Sequence, residues 1–176
     1  SRYATANQEK TMHADMNIAN KQWSFLNSFT YSDFGDLKMG KYGGPDSYLR
    51  KEYIQRVGNA DVVIANPNPR IQRFTGYKQQ NYLSKIRYKP SERWDIEYGF
   101  HYSAIADIPR YDRLIEYANG ALRFARWDYG PQQWLMHHLQ IQHKQTKGWY
   151  DQASLTLSFQ DYEESRIDRR RNNKFI

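Results

Sequence analysis

The feature that most limits what this chain can fold into is a set of short ribbons in which every second side chain is large and apolar. The clearest is WDIEYGFHYSA (94–104), where Trp94, Ile96, Tyr98, Phe100 and Tyr102 share one parity and Asp95, Glu97, Gly99, His101 and Ser103 the other. Successive side chains of a strand point to opposite faces, so this is a strand with one aromatic and one wet side. Met12, Ala14, Met16 and Ile18 alternate with His13, Asp15 and Asn17 in the same way. So do Trp23, Phe25, Phe29 and Tyr31 with Ser24, Ser28, Thr30 and Ser32, although Asn27 interrupts their apolar row. A third strand is expected from about Phe74 to Tyr88, a fifth from about Gln132 to His143, and a sixth around Ala153, Leu155, Leu157 and Phe159.

The connections between these ribbons alternate in length. Residues 19–22, 89–93 and 144–148 are short; 40–72 and 109–131 are long. In an up-and-down antiparallel sheet, consecutive turns fall at opposite ends, so the short ones gather at one end and the long ones at the other. Inside the first long connection, Val62 to Ala65 reads as a short strand. In the second, Asn119-Gly120 is a type I′ signal and predicts a hairpin rising from the sheet. A helix with Leu114, Ala118, Leu122 and Ala125 on one stripe is the alternative there.

Composition sets the mean character of those faces. Apolar residues make up only 39% and mean hydropathy is −0.97, yet aromatics reach 16%, which is not the signature of a disordered chain. The net charge of +7 permits an anionic partner, and part of it comes from the run Arg166 to Lys174. The segment EESRIDRRR (163–171) reads as charged pairing along neighbouring strand extensions rather than a nucleic-acid track. Cysteine is absent, which removes disulfides, thiolate metal sites and thiol nucleophiles. No apolar run approaches the roughly 20 residues of a membrane helix.

Strands of about 10 residues, apolar on one face, with short turns at one end and long loops at the other, describe an outer-membrane barrel. The expected fold is all-β: an antiparallel, up-and-down transmembrane β-barrel segment of about six strands. Trp23, Trp94 and Trp149 at the short-turn end, and Tyr31, Tyr102 and Tyr162 towards the long loops, would form two aromatic girdles. The rival is a soluble β-rich module binding glycans or single-stranded nucleic acid by stacking; a passive porin-like barrel is another.

The wording of several segments adds to this. SFTYSDFGDLKMG (28–40), TGYKQQNYLSKIRYKPSERWDIEYGFHYS (75–103), DIPRYDRL (107–114), WDYGPQQW (127–134) and FQDYEESRIDRR (159–170) resemble the barrel of TonB-dependent outer-membrane receptors of the Bacteroidota type. The resemblance implies a barrel of about 22 strands with a plugged lumen in the bacterial outer membrane. It implies active uptake of a scarce nutrient such as an iron–siderophore chelate, haem or cobalamin. Residues 1–176 would be one internal part of that barrel, lacking the plug domain and the TonB-contacting motif. The implied partners are the TonB complex, the protein's own plug domain, membrane lipid and lipopolysaccharide, and the nutrient ligand, with no nucleic acid.

The long loops then supply the ligand-facing candidates. These are Tyr42, Tyr48, Arg50, Arg110, Tyr111, Arg113, Arg123, Arg126, Trp127 and Tyr129, with Lys51, Tyr53 and Arg56 beside them. Arginine presents a fork to carboxylates and catecholate-like anions, and aromatic rings supply flat surfaces. The alternative reading is that these residues only pack the loops together. In DIPRYDRL, the charged Asp107, Arg110, Asp112 and Arg113 suggest an ion-pair cluster at a structural corner, with Pro109 ending the ladder because it lacks an N–H. His13, His101 and His138 fall on the wet parity, and His137 and His143 on the other; they read as hydrogen-bonded wall residues rather than haem or zinc ligands. No phosphate loop or nucleophile elbow appears, so neither a cofactor nor an enzymatic activity is expected.

Overall fold

A computed structural model of the chain describes residues 1–42 and 46–173; Lys174, the end of the basic run, lies outside them. In chain order the elements are β1 (Arg2–Ala4), β2 (Glu9–Ala19), β3 (Trp23–Phe34), β4 (Glu52–Val57), β5 (Ala60–Ala65), β6 (Tyr77–Ser91), β7 (Trp94–Ile105), β8 (Ile108–Pro109), the one-turn helix α1 (Tyr111–Leu114), β9 (Tyr117–Ala118), β10 (Ala121–Leu122), β11 (Phe124–Lys144) and β12 (Gln152–Arg170). The protein is all-β and its sheets are antiparallel. The main sheet runs β1-β2-β3-β6-β7-β11-β12, with β8 beside β11. The hairpins β4–β5 and β9–β10 stand apart from it within the two long connections.

Register turns the alternation into a continuous surface. One row of paired residues crosses six strands as Ile18, Phe25, Ile86, Tyr98, Leu139 and Leu157. The next row towards the short turns holds Trp23, Tyr88, Ile96, Ile141 and Leu155. At the opposite end the apolar band stops at a charged row of Lys10, Asp33 and Lys78, where Lys78 Nζ lies 3.6 Å from Asp33. Asp161 and Glu163 end it on β12. The polar face is satisfied strand to strand by Asn81 with Ser103 (2.7 Å), Thr11 with Ser32 (2.9 Å), Arg87 with Asp95 (2.7 Å) and Lys85 with Glu97 (3.4 Å).

Asn27 and His137 are polar side chains within the apolar face, and each has a partner there. Tyr82 donates to Asn27 Oδ1 at 2.9 Å, and the Tyr98 hydroxyl lies 2.7 Å from His137 Nδ1. The interruption at Asn27 is therefore capped by a ring from the neighbouring strand, so its amide oxygen is not left bare on an apolar surface. Among the described residues no second layer covers this face. Met12, Met16, Ile18, Leu155, Leu157 and Phe159 are exposed. Among the described residues the buried apolar cluster is small, Leu114, Phe124 and Trp127 with Tyr129 packed on it, and it sits at the long-loop end.

Several expectations are corrected. The third strand spans Tyr77–Ser91 rather than starting at Phe74, whose backbone is left-handed at φ 63°. Tyr162 does not join a girdle on the apolar face. It pairs with Trp134, which pairs with Ser103 on the polar side; three residues beyond Phe159, it must point the opposite way. The lone strand expected at 62–65 is half of a six-plus-six-residue hairpin turned at Gly58-Asn59. A short turn at 5–8 joins β1 to β2 at the long-loop end, so connection lengths do not alternate throughout.

The Asn119-Gly120 hairpin forms as expected, both residues having positive φ, 52° and 76°. The striped helix does not; α1 is a single turn at Tyr111–Leu114. The strands β11 and β12 run far past the expected ends, carrying Phe124–Tyr129 and Glu164–Arg170 into a paired extension. The charged run at 163–170 is thus strand extension.

Candidate functional site

At the long-loop end, the two long connections fold over the paired extension of β11 and β12 and leave a cleft of about 430 Å³. Its floor comes from Ala125, Arg126 and Asp128 of β11 and Arg169 of β12, its sides from Arg50, Ile54 and Arg56 on one loop and Asp107, Pro109 and Leu114 on the other. The segment NPNPR (66–70) shapes the first loop. Asn68 N–H bonds Asn66 Oδ1 and Arg70 N–H bonds Asn68 Oδ1, each at 3.2 Å, giving two successive side-chain-closed turns. The amide of the buried Asn66 then donates to the carbonyls of Arg50 and Ile71, both at 2.9 Å, which fixes the backbone at Arg50.

The loops are fastened to one another and to the sheet. Tyr111 donates to the Tyr48 carbonyl, and Tyr117 donates to Glu52 Oε1 at 2.9 Å. Burial and the Glu52 carboxylate push the Tyr117 phenol up to about 12, and burial raises Tyr111 also. Asp61 at the tip of the β4–β5 hairpin is the strongest fastening. It takes both terminal nitrogens of Arg169 at 2.6 and 2.9 Å, the N–H of Asn172 at 2.6 Å and Arg56 at 3.2 Å. The Arg169 fork holds its carboxyl down at about 2, against the opposing effect of burial. Asp61 and Arg169 are 108 residues apart, and no local pattern ties them together.

The ten candidates fall in different surroundings. Arg50 and Arg126 line the cleft. Arg126 is engaged with Asp107 and Asp128, both at 2.5 Å. Arg110 lies 4.9 Å over Trp127 and bonds Asp112 at 2.8 Å, while Arg166 covers Trp127 and Tyr129 from 5.6 and 5.2 Å. Trp127 is buried in the apolar cluster, so these two rings already carry the protein's own guanidinium groups. Arg113 and Arg123 both hold Glu116, whose carboxyl they keep below the usual range. Tyr111 and Tyr48 link the loops, and Tyr42 is 94% exposed and is not among the residues lining this cleft. Asp107 pairs with Arg126 rather than within DIPRYDRL.

Residues that sequence reasoning did not single out are Asp61, Arg169, Asn66 and Phe74. Among the described residues, no group of three or more His, Asp or Glu side chains is placed to hold a metal ion. Comparisons with known protein families, with curated proteins and with solved structures return no match to this chain.

Proposed function

We propose that this chain is a wall and extracellular-loop portion of a TonB-dependent outer-membrane receptor, taking up a scarce nutrient such as an iron–siderophore or haem. The observation that carries the reading is the uncovered apolar band, continuous across six strands and bounded by a charged row at one end and turns at the other. From Trp94 to Tyr102 the strand advances roughly 26 Å, which at a tilt near 40° gives roughly 20 Å of height, close to the apolar belt of such barrels. Trp23 stacked on Tyr88 at 4.1 Å and Trp94 against His143 at 4.2 Å mark the short-turn boundary.

Two further features support it. The long outer edge of β12 has no strand beside it among the described residues, a condition that closure into a barrel removes. The long loops carry the cleft, at the end where such receptors receive ligand. A soluble module would instead need a layer about 10 Å away over the apolar face. Fractionation of cells making the intact protein tests the membrane part: the protein should stay with outer membranes through alkaline carbonate and need detergent for release. Release by carbonate would refute it. Growth of a deletion strain on defined iron, haem and cobalamin sources tests uptake, with a defect on one source expected and unchanged growth on all of them counting against it.

A further inference from the structure

The charges around the cleft do not balance residue by residue. Arg126 holds Asp107 and Asp128, and Arg56 and Arg169 hold Asp61. Arg50 is left over. It is only 3% exposed, and among the described residues no carboxylate lies within 4.0 Å of its guanidinium. One terminal nitrogen donates to the Arg73 carbonyl and Nε has no partner. Burial lowers its proton affinity, yet a guanidinium keeps its charge in proteins. The carboxylate of Asp36 favours its charge only through space, and a buried cation without a contacting counter-ion is disfavoured unless something supplies the negative charge.

From this we infer that the cleft binds an organic carboxylate, with Arg50 receiving the carboxylate group and the apolar wall receiving the body of the ligand. Ile54, Phe74, Pro109 and Leu114 form that wall, and the Arg50 guanidinium lies 5.8 Å over the Phe74 ring. The volume, about 430 Å³, is that of a small-molecule site. One surplus cation beside apolar side chains suits a single carboxylate on an apolar body better than a polyphosphate, which several unpaired cations would have to meet. The inference deepens the receptor reading and uses it only to place the cleft on the outer side of the membrane.

The test uses the intact protein in detergent micelles, with benzoate as probe, neutral benzamide as its isostere and phenyl phosphate as the dianionic comparison, followed by ligand-observed NMR. Benzoate should bind in the millimolar range, with benzamide and phenyl phosphate at least tenfold weaker. Arg50→Gln should lower benzoate affinity at least tenfold while the unfolding midpoint stays level or rises, because an uncompensated buried charge has been removed. Tyr42→Ala should change neither. Should Arg50→Gln fail to fold, Arg50→Lys, which keeps charge but loses the fork, replaces it, with a smaller drop expected. Absent benzoate binding, equal binding of benzoate and benzamide, tighter binding of phenyl phosphate, or benzoate affinity unchanged in the Arg50 variant would each overturn the carboxylate site. Membrane insertion is measured on the same preparations. A protein that inserts without binding benzoate sinks this inference alone, and one that binds benzoate without inserting sinks the receptor reading alone.

Discussion

Replacing Leu157 with arginine sets hydrocarbon against water as the neighbour of the apolar face. Leu157 is 54% exposed in the isolated sheet, pairs with Leu139, and lies in the row that is apolar on all six strands. If lipid covers that face, an arginine near the bilayer middle costs about 2–4 kcal/mol, a change of roughly 30- to 700-fold in the folding equilibrium. If water covers it, a surface substitution stays within about 0.5 kcal/mol. Ser158 is the internal control, since it pairs with His138 on the polar face; Ser158→Arg should cost under about 1 kcal/mol in either case. Depth adds a second comparison. Glu163 shares the parity of Leu157 but lies beyond the apolar band, so Glu163→Arg should cost about 0–1 kcal/mol. The measurement is guanidinium unfolding of the intact protein in phosphatidylcholine vesicles, read by tryptophan fluorescence and by the mobility shift of heated against unheated samples. Equal costs for Leu157→Arg and Ser158→Arg would refute the lipid-facing assignment.

Acid should loosen the loops first. Asp61 titrates at about 2 in the fold and near 3.9 when unfolded, so its contribution is complete above about pH 4 and is lost as pH falls towards 2. That difference is worth about 2–3 kcal/mol. Trypsin is inactive at such pH, so pepsin cleavage within 46–65, taken relative to an unstructured peptide at each pH, should accelerate over this window and be acid-independent in Asp61→Asn; parallel profiles for the two proteins would contradict the assignment. Tyr82→Phe should destabilise the protein by about 1–3 kcal/mol by stranding Asn27 Oδ1, and Asn27→Leu in the same chain should restore most of it, as unfolding of single and double variants will show. Gly120→Val should cost about 1–2 kcal/mol through its positive φ, measured as faster local amide exchange at 117–122 with exchange in β7 unchanged.

Much of the sheet was legible because a strand's side-chain period is local. WDIEYGFHYSA needs no distant partner to show which side chains share a face, and Asn119-Gly120 announces its own turn. The expected strand over 74–88 slipped because Phe74 looks like one more aromatic, whereas Asp36 takes the N–H groups of Thr75 and Gly76 at 2.8 and 3.2 Å and holds them out of the ladder. The β4–β5 hairpin carried a signal that was there to be read, Gly58-Asn59 between two β-rich runs. The extension of β11 did not: Gly130 and Pro131 read as a stop, and the strand instead absorbs them in a register shift between Tyr129 and Gln132.

The ten loop candidates came from composition, arginine interleaved with aromatic rings, and two of them, Arg50 and Arg126, line the cleft. Composition had no means of telling Arg50 from Arg113, because an arginine's availability depends on which carboxylates reach it. Glu116 stands close in sequence to Arg113 and Arg123 and neutralises them; Asp61 crosses 108 residues to reach Arg169. Alternation along the chain was therefore enough to establish strands with one apolar and one polar face, since neighbouring side chains are set apart by the backbone itself. Which rows those faces form, which rings are already covered, and which guanidinium is left without a contacting carboxylate depend on register and loop closure, where groups far apart in the chain meet through space.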